Sequence, residues 1–187
     1  MKKFTSVLCF IVLASVAVHA QDFKKFRVGV GGGYAMPGGE GAKGGLCVYL
    51  EPGYRVNDAM IVGLRMESAV IVRGFSESDP ATANLDIAGI GSYTVNGQYY
   101  FSNEGFRPFA GVGLGLYSLA AVKVDGAGEV AAAESNFGFY PRVGFDAGHF
   151  TLQLEYNLIP ATKVEGGEFK NSYLGIKIGG FFGGGRK

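Results

Sequence analysis

The sequence predicts an all-β protein, an eight-stranded antiparallel up-and-down transmembrane β-barrel. Three observations lead to this fold class. Glycine supplies 32 of the 187 residues and tryptophan none, a composition that is unusual for a helical protein. Apolar and polar residues alternate along much of the chain, as they do in strands with two different faces. The connections between these stretches are alternately long and short, as an up-and-down barrel requires.

The N-terminus has the features of a signal peptide. Met1–Lys3 is positively charged, Val7–Val18 is an almost unbroken apolar run, and Val18-His19-Ala20 places short residues at the positions that a signal peptidase recognises. We therefore predict a signal peptide at residues 1–20, followed by a barrel domain at residues 21–187.

The composition of the remaining chain narrows its class. The chain carries 17 basic and 16 acidic residues, and removal of Lys2 and Lys3 leaves 15 against 16, so nothing favours nucleic acid as a partner. Cys9 lies inside the apolar run and not at its end, which does not favour a lipoprotein. Cys47 is then the one remaining cysteine, which excludes an internal disulfide. No second apolar run of about 18 residues predicts a helical membrane span.

The clearest strand pattern is the hairpin from Phe137 to Leu158. Its two arms meet at an Ala-Gly-His turn, and the second arm alternates strictly between apolar and polar residues. The apolar set is Phe150, Leu152, Leu154, Tyr156 and Leu158, and the polar set is Thr151, Gln153, Glu155 and Asn157.

Eight stretches have this character, and each is long enough for a tilted strand to cross a bilayer, which takes about 9–11 residues. They are Lys25–Tyr34, Gly45–Val56, Met60–Gly74, Leu85–Phe101, Arg107–Ala120, Phe137–Ala147, Phe150–Ile159 and Ser172–Phe182.

The predicted connections alternate in length. Short turns are predicted at 57–59, 102–105 and 148–149, and long loops at 36–44, 75–84, 122–135 and 160–171. A membrane barrel with both termini in the periplasm has short turns on that side and long loops outside.

Aromatic residues gather at both predicted ends of the strands, as the interfacial girdles of a membrane barrel do, although aromatic residues also favour strands in general. Those beside short turns or the C-terminus are Tyr54, Tyr99, Phe101, Phe106, Phe145, Phe150 and Phe182, and those near long loops are Tyr34, Phe137, Phe139 and Tyr173.

The polar face of the strands indicates which side is inside. It combines many glycines with charges of both signs, which suits the narrow interior of an eight-stranded barrel better than a water-facing exterior. We predict a charge network that closes the lumen, with ordinary solvated charges on a soluble sheet as the alternative. Its predicted members are Arg27, Glu51, Arg55, Arg65, Glu67, Arg142, Asp146, Glu155 and Lys177.

Three segments carry a family resemblance: RPFAGVGLGLY at 107–117, PRVGFDAGHFTLQLEYNL at 141–158 and SYLGIKIGGFF at 172–182. With them, the chain resembles the small outer-membrane β-barrel domain family of Gram-negative bacteria, often labelled porin-like. The resemblance implies location in the outer membrane and contact with barrel-assembly machinery. Barrels of this class commonly end on an aromatic residue that this machinery recognises, whereas this chain continues to Lys187. Phe182 is the candidate for that role.

No catalytic, cofactor-binding or metal site is predicted. The glycine-rich stretches 29–33 and 111–115 lack the final glycine of a dinucleotide fingerprint and continue as strands. His149 is the one histidine after the signal peptide and falls in a predicted periplasmic turn, and Cys47 has no histidine beside it in the sequence. Acidic residues in the long loops could attract Ca²⁺, but they lack the spacing of a dedicated site.

These observations predict a monomeric, non-enzymatic outer-membrane protein with a structural or surface-interaction role. Its partners would be outer-membrane lipid, lipopolysaccharide and an external molecule at the loops. Two alternatives remain: a narrow pore for small solutes, and a soluble periplasmic barrel, similar to a lipocalin, that binds an apolar ligand inside.

Overall fold

The structure is a computed structural model that describes residues 22–38, 42–73, 86–123, 134–164, 167–169 and 171–186. The predicted signal peptide lies outside these residues, as do all of the predicted loop 75–84 and residues 124–133 of the predicted loop 122–135. Among the described residues, no helix is long and apolar enough to cross a membrane.

Within the described residues the chain forms eleven strands. Eight are long and match the predicted ones to within about three residues at each end. The strands are β1 Phe26–Pro37, β2 Ala42–Lys43, β3 Gly45–Asn57, β4 Met60–Arg73, β5 Asp86–Tyr100, β6 Phe106–Lys123, β7 Glu134–Ala147, β8 Phe150–Asn157, β9 Thr162–Val164, β10 Gly167–Phe169 and β11 Tyr173–Gly183.

The eight long strands form a closed antiparallel barrel, which confirms the predicted fold class. Around the barrel they follow the order β1, β3, β4, β5, β6, β7, β8 and β11. The first and last strands close the ring, with Arg27 opposite Gly183 and Pro37 opposite Tyr173. In the closed ring each of the eight described long strands pairs with two neighbours, so none of them has an unpaired edge.

The apolar face of the barrel points outward and the polar face inward. On β8, Thr151, Gln153, Glu155 and Asn157 are buried, while the apolar residues between them are exposed. Large exposed apolar side chains cover the outer surface of the other long strands as well, for example Leu64, Val95 and Leu114. This arrangement fits a lipid-facing wall and contradicts the soluble, lipocalin-like alternative.

The short turns lie together at one end of the barrel. Asp58 and Ala59 join β3 to β4, residues 101–105 join β5 to β6, and the turn at Gly148, with φ of 62°, joins β7 to β8. The start of β1 and the end of β11 lie at the same end. Exposed aromatic residues surround it, including edge-to-face pairs of Phe26 with Tyr54 and of Tyr99 with Phe101.

At the opposite end, the structure adds short strands to two of the predicted long connections and corrects the assignment of one aromatic residue. The long connection predicted at 160–171 contains the small hairpin of β9 and β10, and that at 36–44 contains β2, which pairs with β4. Tyr173 is not part of an outer aromatic girdle. Its side chain points into the lumen, where it is 1% exposed, because it shares the inward phase of Lys177 on β11.

Candidate functional site in the barrel lumen

The centre of the lumen holds a carboxylate between two guanidinium groups. Glu51 on β3 accepts from Nε of Arg65 on β4 at 2.6 Å and from Nη1 of Arg142 on β7 at 2.8 Å. Nη2 of Arg142 also donates to Asn96 at 2.9 Å and to Gln98 at 2.6 Å. Such paired, charge-assisted hydrogen bonds allow these groups to be buried.

The next layer, toward the long connections, holds two more carboxylates. Glu155 accepts from Arg65 Nη1 and from Lys177, and Lys177 also donates to Glu67. Tyr173 donates to Glu67 at 2.8 Å, and Asn157 donates to Glu155 at 3.0 Å. Arg65 therefore belongs to both layers and joins them.

A third cluster lies toward the short turns. Arg27 pairs with Asp146 at 2.8 Å, and Thr151 donates to the same carboxylate at 2.7 Å. The Tyr100 hydroxyl also donates to Asp146 and accepts from Arg27 and Gln98. The Arg27 guanidinium lies 3.9 Å from the centre of the Phe181 ring.

All nine residues of the predicted charge network have buried side chains in the lumen. Eight take part in the ion pairs just described. Arg55 differs, because no ion pair within the described residues includes it, and its contacts are main-chain carbonyl groups and aromatic rings.

Sequence reasoning did not single out Arg107, which is also buried in the lumen. On β6, Arg107 has the same phase as Gly111 and Gly113, which are among the glycines of the polar face. The alternation of apolar and polar residues therefore indicated that Arg107 points inward. The sequence also did not predict that tyrosine rings fill the lumen. Among the described residues, five are buried there: Tyr49, Tyr100, Tyr117, Tyr140 and Tyr173. Inward glycines make room for these rings: a Cβ on Gly113 would overlap the Tyr140 ring.

An apolar layer lies beyond the charges, toward the long connections. Buried Ala35, Cys47, Ala69, Ile90 and Ile159 pack there with Tyr117, Tyr140 and Tyr173. Cys47 is therefore a small packing residue in an apolar cluster. Tyr117 connects this layer to the polar one by donating to Asn157 at 2.8 Å.

Chemistry-bearing residues outside the network are dispersed. His149 lies in the turn after β7, and its ring stacks on Phe181 with centres 5.1 Å apart. Within the part of the chain that the structure describes, no group of three or more His, Cys, Asp or Glu side chains could hold a metal ion.

A family model for the outer membrane protein beta-barrel domain matches residues 6–182. The chain belongs to this family. Its members are outer-membrane barrels, and this protein is located in the outer membrane.

Solved structures of outer-membrane barrels share the fold. Neisserial surface protein A matches with a TM-score of 0.56 and 19% sequence identity, over 83% of this chain and 94% of that one. The outer membrane protein OprG from Pseudomonas aeruginosa matches with a TM-score of 0.52 and 13% identity, over 88% of this chain and 98% of that one. No curated protein matches the chain by sequence.

Proposed function

We propose that this outer-membrane barrel is a monomeric, non-enzymatic protein with a structural or surface-interaction role. Its lumen is closed to solutes, and its long connections face the outside, where they contact lipopolysaccharide and an external partner. Barrel-assembly machinery inserts the chain, with Phe182 as the recognised aromatic residue. The observation that carries the proposal is that ion pairs cross the full width of the lumen.

The positions of the paired strands support closure. Arg65 and Glu155 lie on β4 and β8, which are four strands apart in either direction around the ring. Glu51 on β3 and Arg142 on β7 are also opposite each other. A side chain that reaches its partner across the whole diameter obstructs the lumen, and all four side chains are at most 9% exposed.

A solute would have to separate these pairs and pass the apolar layer. Leaving a buried charge without its partner typically costs about 3–5 kcal/mol. The layer around Tyr117, Tyr140 and Tyr173 adds a region with few groups that could replace the water around an ion. Two barriers of different chemistry in series favour a structural barrel over a pore.

Single-channel recording tests closure. Purified protein is reconstituted in planar lipid bilayers, and we expect no conductance steps. Regular steps from the wild-type protein would contradict closure and support the narrow-pore alternative. A Glu51→Ala/Arg142→Ala variant serves as the comparison, because removal of one cross-lumen pair should permit brief openings.

Surface labelling tests the orientation. An epitope inserted between residues 124 and 133 should bind antibody on intact cells, whereas the same epitope inserted between Asn103 and Glu104 should bind only after the cells are permeabilised. The reverse pattern would overturn the assignment of the long connections to the outside. Reconstitution in vesicles with and without lipopolysaccharide then tests whether this lipid raises the unfolding temperature.

A further inference from the structure

Two arginines at the short-turn end of the lumen, Arg55 and Arg107, form a pair that the charge network does not include. We call them the arginine pair. Both are buried, at 0% and 5% exposure. Both donate to the same main-chain carbonyl oxygen, that of Asp58, from Arg55 Nη1 at 3.0 Å and from Arg107 Nη2 at 2.7 Å. One acceptor therefore holds two like-charged groups close together.

Their other hydrogen bonds go to neutral acceptors. Arg55 Nη2 reaches the Gly184 carbonyl at 3.4 Å, and Arg107 reaches the Ser102 carbonyl at 3.3 Å and Asn103 Oδ1 at 3.2 Å. Nε of Arg55 is buried and has no hydrogen-bond partner within the described residues. No ion pair among these residues includes either arginine.

The nearby carboxylates, Asp146 and Asp58, form no ion pair with either arginine and accept hydrogen bonds from other groups. Asp146 accepts from Arg27, Tyr100 and Thr151. The Asp58 side chain accepts the main-chain N–H groups of Asp22 at 3.0 Å and Phe23 at 3.3 Å. Among the buried charged residues that the structure describes, six are cations and four are anions. The excess of two positive charges corresponds to the arginine pair.

A short segment covers the pair. Residues 22–25, which we call the strap, cross the short-turn end of the barrel, where Lys24 N donates to the Gly185 carbonyl at 2.9 Å and Arg55 N to the Lys25 carbonyl at 2.7 Å. The Phe23 ring is 6% exposed and lies 4.0 Å from the Arg107 guanidinium and 4.8 Å from that of Arg55. An aromatic face attracts a cation but supplies no counter-charge.

We propose that the arginine pair is a binding site for one small oxyanion of the phosphate or carboxylate class, covered by the strap. Buried charges in proteins are generally paired, and a second like charge makes the need for an anion greater. Guanidinium groups present planar sets of N–H donors that fit two oxygens of such an anion. Because the arginine pair lies inside the short-turn end of the lumen and is covered by Phe23, a soluble anion fits the site better than a lipid headgroup does.

Titration calorimetry with sodium phosphate tests this proposal. Refolded full-length barrel in uncharged detergent is titrated at constant ionic strength, with sodium chloride as the comparison salt. We expect saturable binding of one phosphate per barrel. Arg55→Gln and Arg107→Gln should each weaken it about tenfold or more, as loss of one charged hydrogen-bonding group does, and the double variant should abolish it.

Three further variants separate the site from general attraction to positive charge. Lys24→Gln/Lys25→Gln removes two exposed charges from the strap and should leave the affinity unchanged, whereas Phe23→Ala should speed phosphate binding and release. Should the double glutamine variant fail to fold, Arg55→Lys/Arg107→Lys keeps both charges and loses the planar donors, and we expect it to bind at least tenfold more weakly.

Several results would overturn the proposal. The first is phosphate binding that does not saturate. The second is phosphate binding that is unchanged in the double glutamine or double lysine variant of the arginine pair. The third is loss of phosphate binding in the Lys24→Gln/Lys25→Gln variant. Nanodiscs distinguish the two sources of phosphate. If phosphatidylglycerol, compared with phosphatidylcholine, prevents binding of free phosphate in the wild type, the ligand is a lipid headgroup and the soluble assignment is wrong. Equal binding in both lipids supports the soluble anion.

Discussion

Replacing Arg65 with methionine is expected to destabilise the barrel by about 3 kcal/mol. Arg65 is 1% exposed and pairs with Glu51, with Glu155 and, at 3.8 Å, with Glu67. Removing one partner of a buried ion pair typically costs about 3–5 kcal/mol. We expect the lower end, because Glu51 keeps Arg142 at 2.8 Å and Glu155 keeps Lys177, so no carboxylate is left without a cation.

The assay is equilibrium unfolding by urea in phospholipid vesicles. The folded fraction is followed by the mobility of unboiled samples on gels and by circular dichroism, since the chain has no tryptophan to report by fluorescence. Arg186→Met is the matched comparison. Its ion pair with Asp22 spans 3.9 Å between side chains that are 69% and 63% exposed, so its removal should cost less than about 1 kcal/mol.

A double variant tests the cause of the loss. Arg65→Met/Glu155→Gln removes a cation and a carboxylate together. The loss of stability in this double variant should therefore be smaller than the sum of the losses in the two single variants, by about 1 kcal/mol or more. An Arg65→Met barrel as stable as the Arg186→Met barrel would refute the reasoning, since it would mean that water screens the lumen charges. Strict additivity in the double variant would refute the coupling.

Three more predictions concern packing, the lipid face and the thiol. Gly113→Ala should lower the free energy of unfolding by about 1–3 kcal/mol in the same urea assay, because the new Cβ would overlap the Tyr140 ring. The control Gly91→Ala, where a Cβ would meet nothing within 4 Å, should change it by less than about 0.5 kcal/mol, and equal losses would contradict this account. Leu114→Lys, on the outer face in the middle of β6, should lower the free energy of unfolding by about 2–4 kcal/mol, and Met60→Lys, at the start of β4, by at most about 1 kcal/mol. A larger loss for Met60→Lys than for Leu114→Lys would place the membrane elsewhere on the barrel. Cys47, which is 2% exposed, should not react with maleimide in the folded barrel but should react in urea. The control, Glu104→Cys in a Cys47→Ser background, should react in the folded barrel at once, and rapid labelling of Cys47 in the folded barrel would show that the lumen is open.

Local patterns were enough to predict the strands and their faces. The alternation on β8 and the positions of the short turns near Asp58 and Gly148 depend on residues close together in the chain. The β9–β10 hairpin was not predicted, because it depends on how one long connection folds back on itself. Tyr173 and Arg107 were missed for a different reason. The alternation of each strand places both side chains inward, but Tyr173 was assigned to the aromatic girdle and the predicted strand began at Arg107.

Strands with one apolar and one charged face, closed into a barrel with lipid outside, follow from the sequence alone, because a period of two assigns each side chain to a face. The pairing of the charges depends on the three-dimensional fold. Glu51 and Arg142 are 91 positions apart in the chain, and they meet because closure of β1 on β11 brings β3 and β7 to opposite sides of one narrow lumen. The same closure left Arg55 and Arg107 together without a carboxylate partner among the described residues, since the register of distant strands fixes which charges face each other.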